Sequence, residues 1–345
     1  MNIFSMTCAE VAAEISRSYG KGDFHAAALC REIFKKGHSL RSFKNIPEFL
    51  ASPSLARQLA RKVQFPACRI SGMQEDGVLK FVTVLGDGNS IESVIIPARD
   101  RATLCVSSQA GCRMGCAFCA TGMQGFVRDL SAEEIVWQVF AARFVLKRHI
   151  DNIVFMGMGE PFDNFDNVIQ AVRVMSDQRG LDIAQSKITI STAGHAEGIG
   201  KLAKAGMPKL RLAVSINAAD DGLRGALMPI NKKYPLGALK EALLAFPLCK
   251  KGVFFIEYVL LSGINDSREM AGKLARYVEG LPVRVNVITY NPNASLPYLP
   301  PSSKLVKQFC DWLVEDHVFV RKRKSQGLDI LAACGQLKAS LSHAP

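Results

Sequence analysis

The chain predicts an α/β fold, a partial (β/α)6 TIM-like barrel with a small N-terminal helical segment and a β-hairpin extension. Two observations carry this. Six strand-like runs, at 103–107, 152–158, 187–191, 210–216, 253–261 and 283–290, alternate with helix-like segments such as 132–145, 167–176, 236–245, 268–278 and 304–314. Such alternation implies parallel strands with right-handed crossovers. Ahead of it, the β-rich runs 79–85 and 90–97 flank Gly86-Asp87-Gly88-Asn89, a strong hairpin signal.

The elements fall in order along four divisions. Residues 1–65 read as short amphipathic helices at 8–18, 26–35 and 55–62, broken by Gly20, Gly22, Gly37 and Pro53. Residues 66–101 hold the hairpin, 102–317 the barrel, and 318–345 a basic strand followed by a loop containing Cys334. The 345 residues, 48% apolar and 21% charged, are ordinary for a globular enzyme. No apolar run approaches the ~18 residues that cross a bilayer, and the first residues lack a basic start followed by an apolar stretch. Ten cysteines without an export signal argue against a disulfide framework and for a reducing cytoplasm. The net charge of +12 is gathered in patches at 31–36, 57–62, 201–211, 232–233, 250–251 and 321–324. A polyanionic partner, most simply nucleic acid, accounts for that excess.

Chemistry is concentrated in Gly111-Cys112-Arg113-Met114-Gly115-Cys116-Ala117-Phe118-Cys119. Three thiolates on one loop are too few for a closed zinc site, which needs four ligands. They suit a 4Fe–4S cluster with one iron open to a small molecule. The loop follows the first barrel strand, so it lies on the face where (β/α) barrels carry their chemistry. The other strand ends supply Gly157, Gly159 and Glu160; Ser191 and Thr192; Ser215, Ile216 and Asn217; and Tyr290 and Asn291. The two glycines would let a ligand approach the backbone, and Glu160 could take an ammonium group. The hydroxyl and amide groups suit a ribose and the edge of an adenine. Each alone reads equally as a turn or N-cap residue; together they ring one mouth. Phe118 would shield a cofactor beside the cysteines. Cys8, Cys30, Cys68, Cys249 and Cys310 lie in apolar or helical contexts and read as core residues.

The cysteine spacing with its aromatic, followed by Gly159-Glu160-Pro161, resembles the radical S-adenosylmethionine (SAM) superfamily, and so implies that superfamily's type of partial barrel. Leu104–Cys112, Phe155–Pro161, Leu227-Met228-Pro229-Ile230-Asn231 and Ala332-Ala333-Cys334-Gly335-Gln336-Leu337 together resemble the RlmN/Cfr family. The likeness runs from about residue 90 to 337. It implies methylation of an adenosine of large-subunit (23S) rRNA, with tRNA a further substrate. Cys112, Cys116 and Cys119 would hold the 4Fe–4S cluster, and Gly159, Glu160, Ser191, Ser215, Ile216, Asn217 and Asn291 the SAM, two being used per turnover. The resemblance further implies that Cys334 carries the methyl group, that Cys105 resolves the adduct through a transient disulfide, and that Glu92 accepts the proton. A carboxylate is a sensible base for that step, and disulfide formation a sensible release.

It also implies a flavodoxin- or ferredoxin-like electron donor, a monomer and no membrane. Asn217 stands where better-known members have histidine. The stretch Lys324–Asp329 looks Cfr-like, and Gly-Glu-Pro and Asn231-Lys232-Lys233-Tyr234 look RlmN-like. Methylation at carbon 2 of adenine is favoured over carbon 8. A radical SAM enzyme on another RNA, and a non-catalytic zinc/RNA-binding protein, are the alternatives.

Overall fold

A computed structural model of the chain describes residues 1–38, 43, 46–293, 295–323, 327 and 329–338. Its strands are β1 (Arg69–Glu75), β2 (Leu79–Val84), β3 (Ser90–Ala98), β4 (Arg101–Cys105), β5 (Gln109–Gly111), β6 (Phe126–Asp129), β7 (Asn152–Phe155), β8 (Ile188–Thr192), β9 (Arg211–Ser215), β10 (Phe254–Leu260), β11 (Val283–Thr289) and β12 (Val320–Arg323). Ten of them form one sheet in the order β1-β2-β3-β4-β7-β8-β9-β10-β11-β12, and β5 pairs with β6 apart. From β4 through β12 every neighbouring pair in that sheet is parallel. The six expected barrel strands are therefore present, and the basic tail strand β12 adds a seventh. At the other edge β1, β2 and β3 are antiparallel. The hairpin thus continues the main sheet. Strand β1 was not anticipated: it is almost wholly exposed and contains Gly72 beside a register shift, so it has no apolar alternation to read.

Helices cover one side of the sheet, and their starts are written in the sequence. Ser131 and Glu134 form a capping box on Ala132–Phe140, while Ser267 and Ser302 cap Arg268–Val278 and Ser303–Glu315. Helix Ala196–Ala203 escaped the sequence reading because it holds Gly198 and Gly200. Gly198 is required there, since a Cβ would come within 2.5 Å of the Phe162 side chain.

Strand alternation separates two faces. Leu104, Ile153, Ile190, Val214, Ile256 and Val285 are 0% exposed and pack beneath the helices; each contributes about 1.5–3 kcal/mol by leaving water. The opposite face holds Cys105 opposite Val154, Ser215 opposite Glu257, and Glu257 opposite Asn286. Glu92 lies two residues from Val94, the partner of Cys105, and so shares that face. Ser191, Ser215, Phe255 and Val259 on it keep partial exposure. This side of the sheet is accordingly a cleft.

The N-terminal segment docks on the outside through rings: Phe4 meets Phe34, Phe65 and Phe140 at centroid distances of 5.4, 5.2 and 5.1 Å. Helices Cys8–Tyr19 and Asp23–Cys30 fold back on one another. Their first and last residues come together, Cα to Cα 6.2 Å, as a disulfide. Both are buried, as expected of core residues, and the correction is to the expectation that no cysteines are paired as a disulfide. Cys68 and Cys310 are half-buried, and Cys249 is exposed. The core reading is thus corrected for Cys249, which lies in the 247–252 turn before β10, where Gly252 N–H donates to Cys249 O at 2.7 Å and the chain reverses at the surface. Among the described residues no helix is long and apolar enough to cross a membrane.

Candidate active site

The cysteine loop begins where β5 ends and is stitched down by main-chain hydrogen bonds. Cys112 N–H donates to Gly125 O at 2.8 Å, Ala117 N–H to Leu227 O at 2.9 Å, and Cys119 N–H to Cys116 O at 3.1 Å. Gly111, at φ +76°, tolerates no side chain because its Cβ would lie 2.0 Å from Gly125 O. Phe118, nearly buried, packs with Leu227, Met228, Leu261 and Tyr290 in a small apolar cluster that also touches Cys116 and Cys119. Burial pushes the Cys112 thiol up to about 12 and Cys116 well above the ordinary range; Cys119 adds to both rises, and Cys112 to that of Cys116. Among the described residues no three His, Cys, Asp or Glu side chains converge tightly enough to hold one metal ion. Three thiols spread along a loop instead fit a cuboidal iron–sulfur cluster, in which each thiolate meets a different iron. The cluster's positive iron would reverse the upward push that burial exerts.

The tail reaches the same place. Ala120 N–H donates to Gly335 O at 2.8 Å. The Thr121 hydroxyl donates to Leu337 O at 2.6 Å, and Lys338 N–H to a Glu92 carboxylate oxygen at 2.9 Å. From the end of β11, the Asn291 amide donates to Cys334 O at 3.1 Å, and the Gln336 amide donates back to Pro292 O at 2.8 Å. Cys334 keeps an exposed face. Its thiol is pushed up by desolvation and by the Glu257 carboxylate, with Cys119 adding to the rise and Arg323 opposing it. Cys105 is buried on β4; desolvation raises its thiol strongly, and Cys334 raises it further. The residues the sequence set apart as Cys105, Cys119 and Cys334 are therefore electrostatic neighbours.

Other sequence-read residues stand at the mouth but are differently engaged. Gly157 and Gly159 each have a neighbour on the side where a side chain would stand. A Cβ on Gly157 would meet Val106 O at 2.7 Å and one on Gly159 the Gln109 side chain at 2.6 Å, so both serve the close packing of β7's end on β4's. Glu160 is buried, with its oxygens accepting from Phe162 N–H at 3.1 Å and Ala193 N–H at 2.7 Å. Burial raises it to about 7. Ser191 and Ser215 line the cleft, and Ile216 is fully buried. Asn217, at φ +56°, is also buried: its side-chain oxygen accepts from Val259 N–H at 2.8 Å. That carboxamide ties β9's end to β10, a conformation asparagine tolerates better than most residues. Glu92 is buried, pairs with Lys80 at 3.3 Å and is pushed up by burial.

Three residues were missed. Arg224 is 0% exposed and donates to Asn231 Oδ1 at 2.7 Å, Ala193 O at 2.6 Å, Ile216 O at 3.2 Å and Ser215 O at 3.3 Å. It clamps the ends of β8 and β9. Glu257 and Asn286 are buried on the cleft face, and the Asn286 amide donates to Glu257 Oε1 at 2.8 Å. A lone acid in the apolar run 253–261 was the available signal.

The basic patches differ. In 31–36, Arg31 pairs with Glu32 and Glu48, Lys35 with Asp182 and Lys36 with Glu32. Arg57, Arg61, Lys232, Lys233, Lys250, Lys251, Arg321, Lys322 and Arg323 are exposed, and Lys324 falls outside the described residues.

A partial parallel barrel with three soft donors at the carboxyl ends of its strands defines a radical SAM protein. The profile of the radical SAM superfamily matches residues 106–275. The chain is 42% identical over 338 residues, 98% of its length and 94% of the other's, to a protein of Protochlamydia amoebophila named "Probable dual-specificity RNA methyltransferase RlmN 1". It is 42% identical, over 95% of its own length and 93% of the other's, to the "Dual-specificity RNA methyltransferase RlmN" of Pelobacter propionicus. A crystal structure of a radical SAM methyltransferase from Sphaerobacter thermophilus matches with a TM-score of 0.90 at 34% identity, covering 99% of this chain and 100% of that one. The chain belongs to the RlmN family and is a radical SAM methyltransferase, with a 4Fe–4S cluster and SAM as its cofactors.

Proposed function

We propose that this enzyme methylates carbon 2 of an adenosine in 23S rRNA, and in tRNA as a further substrate, with Cys334 as the methyl carrier. One observation carries the reading: the tail 329–338 is tied across the cysteine loop, so that Cys334 is a charge neighbour of both Cys119 and Cys105. A thiol with no part in the reaction has no need of that position.

When bound, the cluster held by Cys112, Cys116 and Cys119 and two SAM molecules per turnover supply the electron, the methyl group and a hydrogen-abstracting radical. Gly159, Glu160, Ser191, Ser215, Ile216, Asn217 and Asn291 form the SAM-binding rim, with Ser191 and Ser215 meeting it by side chain and the buried residues shaping the strand ends. Cys334 takes the methyl carbon and delivers it to the purine. Glu92 accepts the proton lost from the ring; Lys80 beside it keeps it from standing as an isolated buried charge. The Cys105 thiolate then attacks the Cys334 sulfur, forming an S–S bond as the sulfur–carbon bond to the product breaks; that carbon keeps the electron pair and takes up a proton to become the methyl group, and a thiol reductant afterwards reopens the disulfide. An electron donor of the flavodoxin or ferredoxin kind serves the cluster. Residues 1–65 and the basic groups on 57–62 and 321–323, which make no ion pair among the described residues, hold the surrounding RNA by its phosphates, and the target adenosine is splayed out of its helix to reach the cleft.

The test is anaerobic: reconstituted protein, SAM, reductant and ribosomal RNA, followed by digestion and mass spectrometry against methyladenosine standards. Methyl at carbon 2 is expected, with Cys105→Ala leaving RNA covalently trapped on protein. Methyl at carbon 8 overturns the regiochemistry, and a freely turning-over Cys105→Ala enzyme overturns the two-thiol mechanism.

A further inference from the structure

Lysine is almost never buried without a partner, yet Lys80 on β2 is only 8% exposed. Its place follows from the register. Lys80 stands opposite Val94 on β3, and Val94 opposite Cys105 on β4, so all three share the cleft face. Glu92, two residues from Val94 along β3, lies diagonally across from Lys80, within reach of a long side chain. Lys80 Nζ and Glu92 Oε1 are 3.3 Å apart. Glu92 Oε2 accepts from Lys338 N–H at 2.9 Å, in the tail that carries Cys334. Two other buried carboxylates of the region are held differently. Glu160 has both oxygens on backbone N–H groups, of Phe162 and Ala193, and Glu257 has one on the Asn286 amide. Of these three, among the described residues, Glu92 alone has a cation within ion-pair distance.

We infer that Lys80 is a positioning residue for RNA methylation: its ammonium keeps the Glu92 carboxylate ionised and fixed beside the tail, ready to accept the ring proton. The inference rests on the acceptor role proposed for Glu92. In that step a ring carbon–hydrogen bond breaks, its electron pair stays with the purine, and an O–H bond forms on Glu92. A buried carboxyl that is already protonated cannot do this, and burial pushes Glu92 that way while Lys80 opposes it. An ionised carboxylate has about four acceptor sites, so the bonds to Lys80 and Lys338 leave room for a third partner. The other groups around Glu92 do not replace the cation. On the same face β4 brings the Cys105 thiol, β5 has no titratable side chain, and the tail offers a main-chain N–H while the Lys338 side chain is exposed.

The experiment follows methylation of saturating ribosomal RNA by the reconstituted enzyme across the pH range in which it stays folded. Lys80→Met keeps the stem and removes the charge. It is expected to move the acid limb of the rate profile upward by about one pH unit or more, because the unpaired carboxyl ionises only at higher pH. On that limb methylation slows about tenfold or more. Lys80→Arg, which keeps the cation, is expected to return the limb to its wild-type place. Cluster absorbance and methyl label on Cys334, read on the same samples, are expected to match the wild type, since neither involves Glu92. Should Lys80→Met take up less cluster, Lys80→Gln, whose amide can bond Glu92 without charge, decides by the same limb. An unmoved limb overturns the assignment, whether the rate falls equally at every pH, as from lost packing, or only below saturation with RNA, as from a lost phosphate contact. Glu92→Gln tests the underlying reading separately. Loss of RNA product with Cys334 still methylated upholds it, and an undiminished rate overturns the acceptor role itself.

Discussion

The cysteine loop 112–119 and the tail 329–338 bring thiols to one mouth by opposite means. The loop is short, runs directly from the barrel's own strands, and is fixed by main-chain bonds to Gly125 and Leu227 and by an apolar cluster around Phe118. The tail reaches Glu92 on β3; it is held by hydrogen bonds involving Asn291, Thr121, Ala120, Gln336 and Lys338, and by Ala332 and Leu337 buried in the main core. The first arrangement suits a permanent ligand. The second leaves Cys334 exposed between buried neighbours, which suits the carrier role proposed for it.

Substitution at the two cysteines should separate these roles. Cys112→Ser is expected to lose the cluster and with it all SAM chemistry, read as loss of the brown iron–sulfur absorbance. Cys334→Ala is expected to retain that absorbance and lose RNA methylation to below detection by mass spectrometry. A Cys334→Ala enzyme that still methylates RNA would remove the tail from the chemistry.

Arg224 provides the next largest effect and belongs to the rigid side of the comparison. Replacing it by methionine keeps much of the stem's volume but leaves the carbonyls of Ala193, Ser215 and Ile216 and the Asn231 side chain without their donor. Arg224→Met should cost about 2–4 kcal/mol, measured by denaturant unfolding, and weaken SAM binding in proportion. The same change made on the exposed Arg57 should cost under about 0.5 kcal/mol.

The legibility of the sequence follows the same division. Cys112, Cys116 and Cys119 were readable because spacing alone specifies a local ligand set, and the six barrel strands because parallel strands buried under helices are apolar runs. The docking of the tail was not readable from residue pattern, since four of its bonds use main-chain groups of residues 334, 335, 337 and 338. It came only through the likeness of Ala332–Leu337 to a family. The glycines of 157 and 159 carried only part of their meaning, because glycine signals close approach without saying which neighbour makes it, and here Val106 and Gln109 stand where a Cβ would be. Asn217 and Asn291 were found, but their bonds to Val259 N–H and Cys334 O were not, because those partners are distant in the sequence. Arg224 and Glu257 went unread because a buried charge is recognised only once its fold neighbours are known.

Glu160 gives the rigid rim a pH signature in the cofactor-free protein. Its pKa is raised from 4.5 to about 7, chiefly by burial, against opposing bonds from Ala193 and Phe162. A carboxyl whose folded pKa lies above its unfolded one binds its proton more tightly when folded, so stability falls as pH rises through that window and is at its lowest above it. The wild type should therefore lose stability relative to Glu160→Gln between pH 4.5 and about 7, and the difference should be flat on either side. A difference that is constant with pH would mean that the backbone bonds alone set the charge state of Glu160.

The smallest effect is the most specific to the mobile side. Asn291→Ala removes the bond from β11 to Cys334 O at 3.1 Å and leaves Gln336, Thr121 and Ala120 still holding the tail. Global stability should drop by no more than about 1 kcal/mol. If the tail's attachment is what times the carrier, the population of correctly seated Cys334 falls by the same free energy, and RNA methylation should slow about fivefold, since 1.4 kcal/mol corresponds to about tenfold. Cluster content should stay unchanged, because no bond of the cysteine loop is touched. Glutamine at 291 should not restore the rate: its amide is displaced by one methylene from the carbonyl it must meet. If Asn291→Ala instead strips the cluster, tail and loop are one rigid unit and the division between permanent ligand and moving carrier fails.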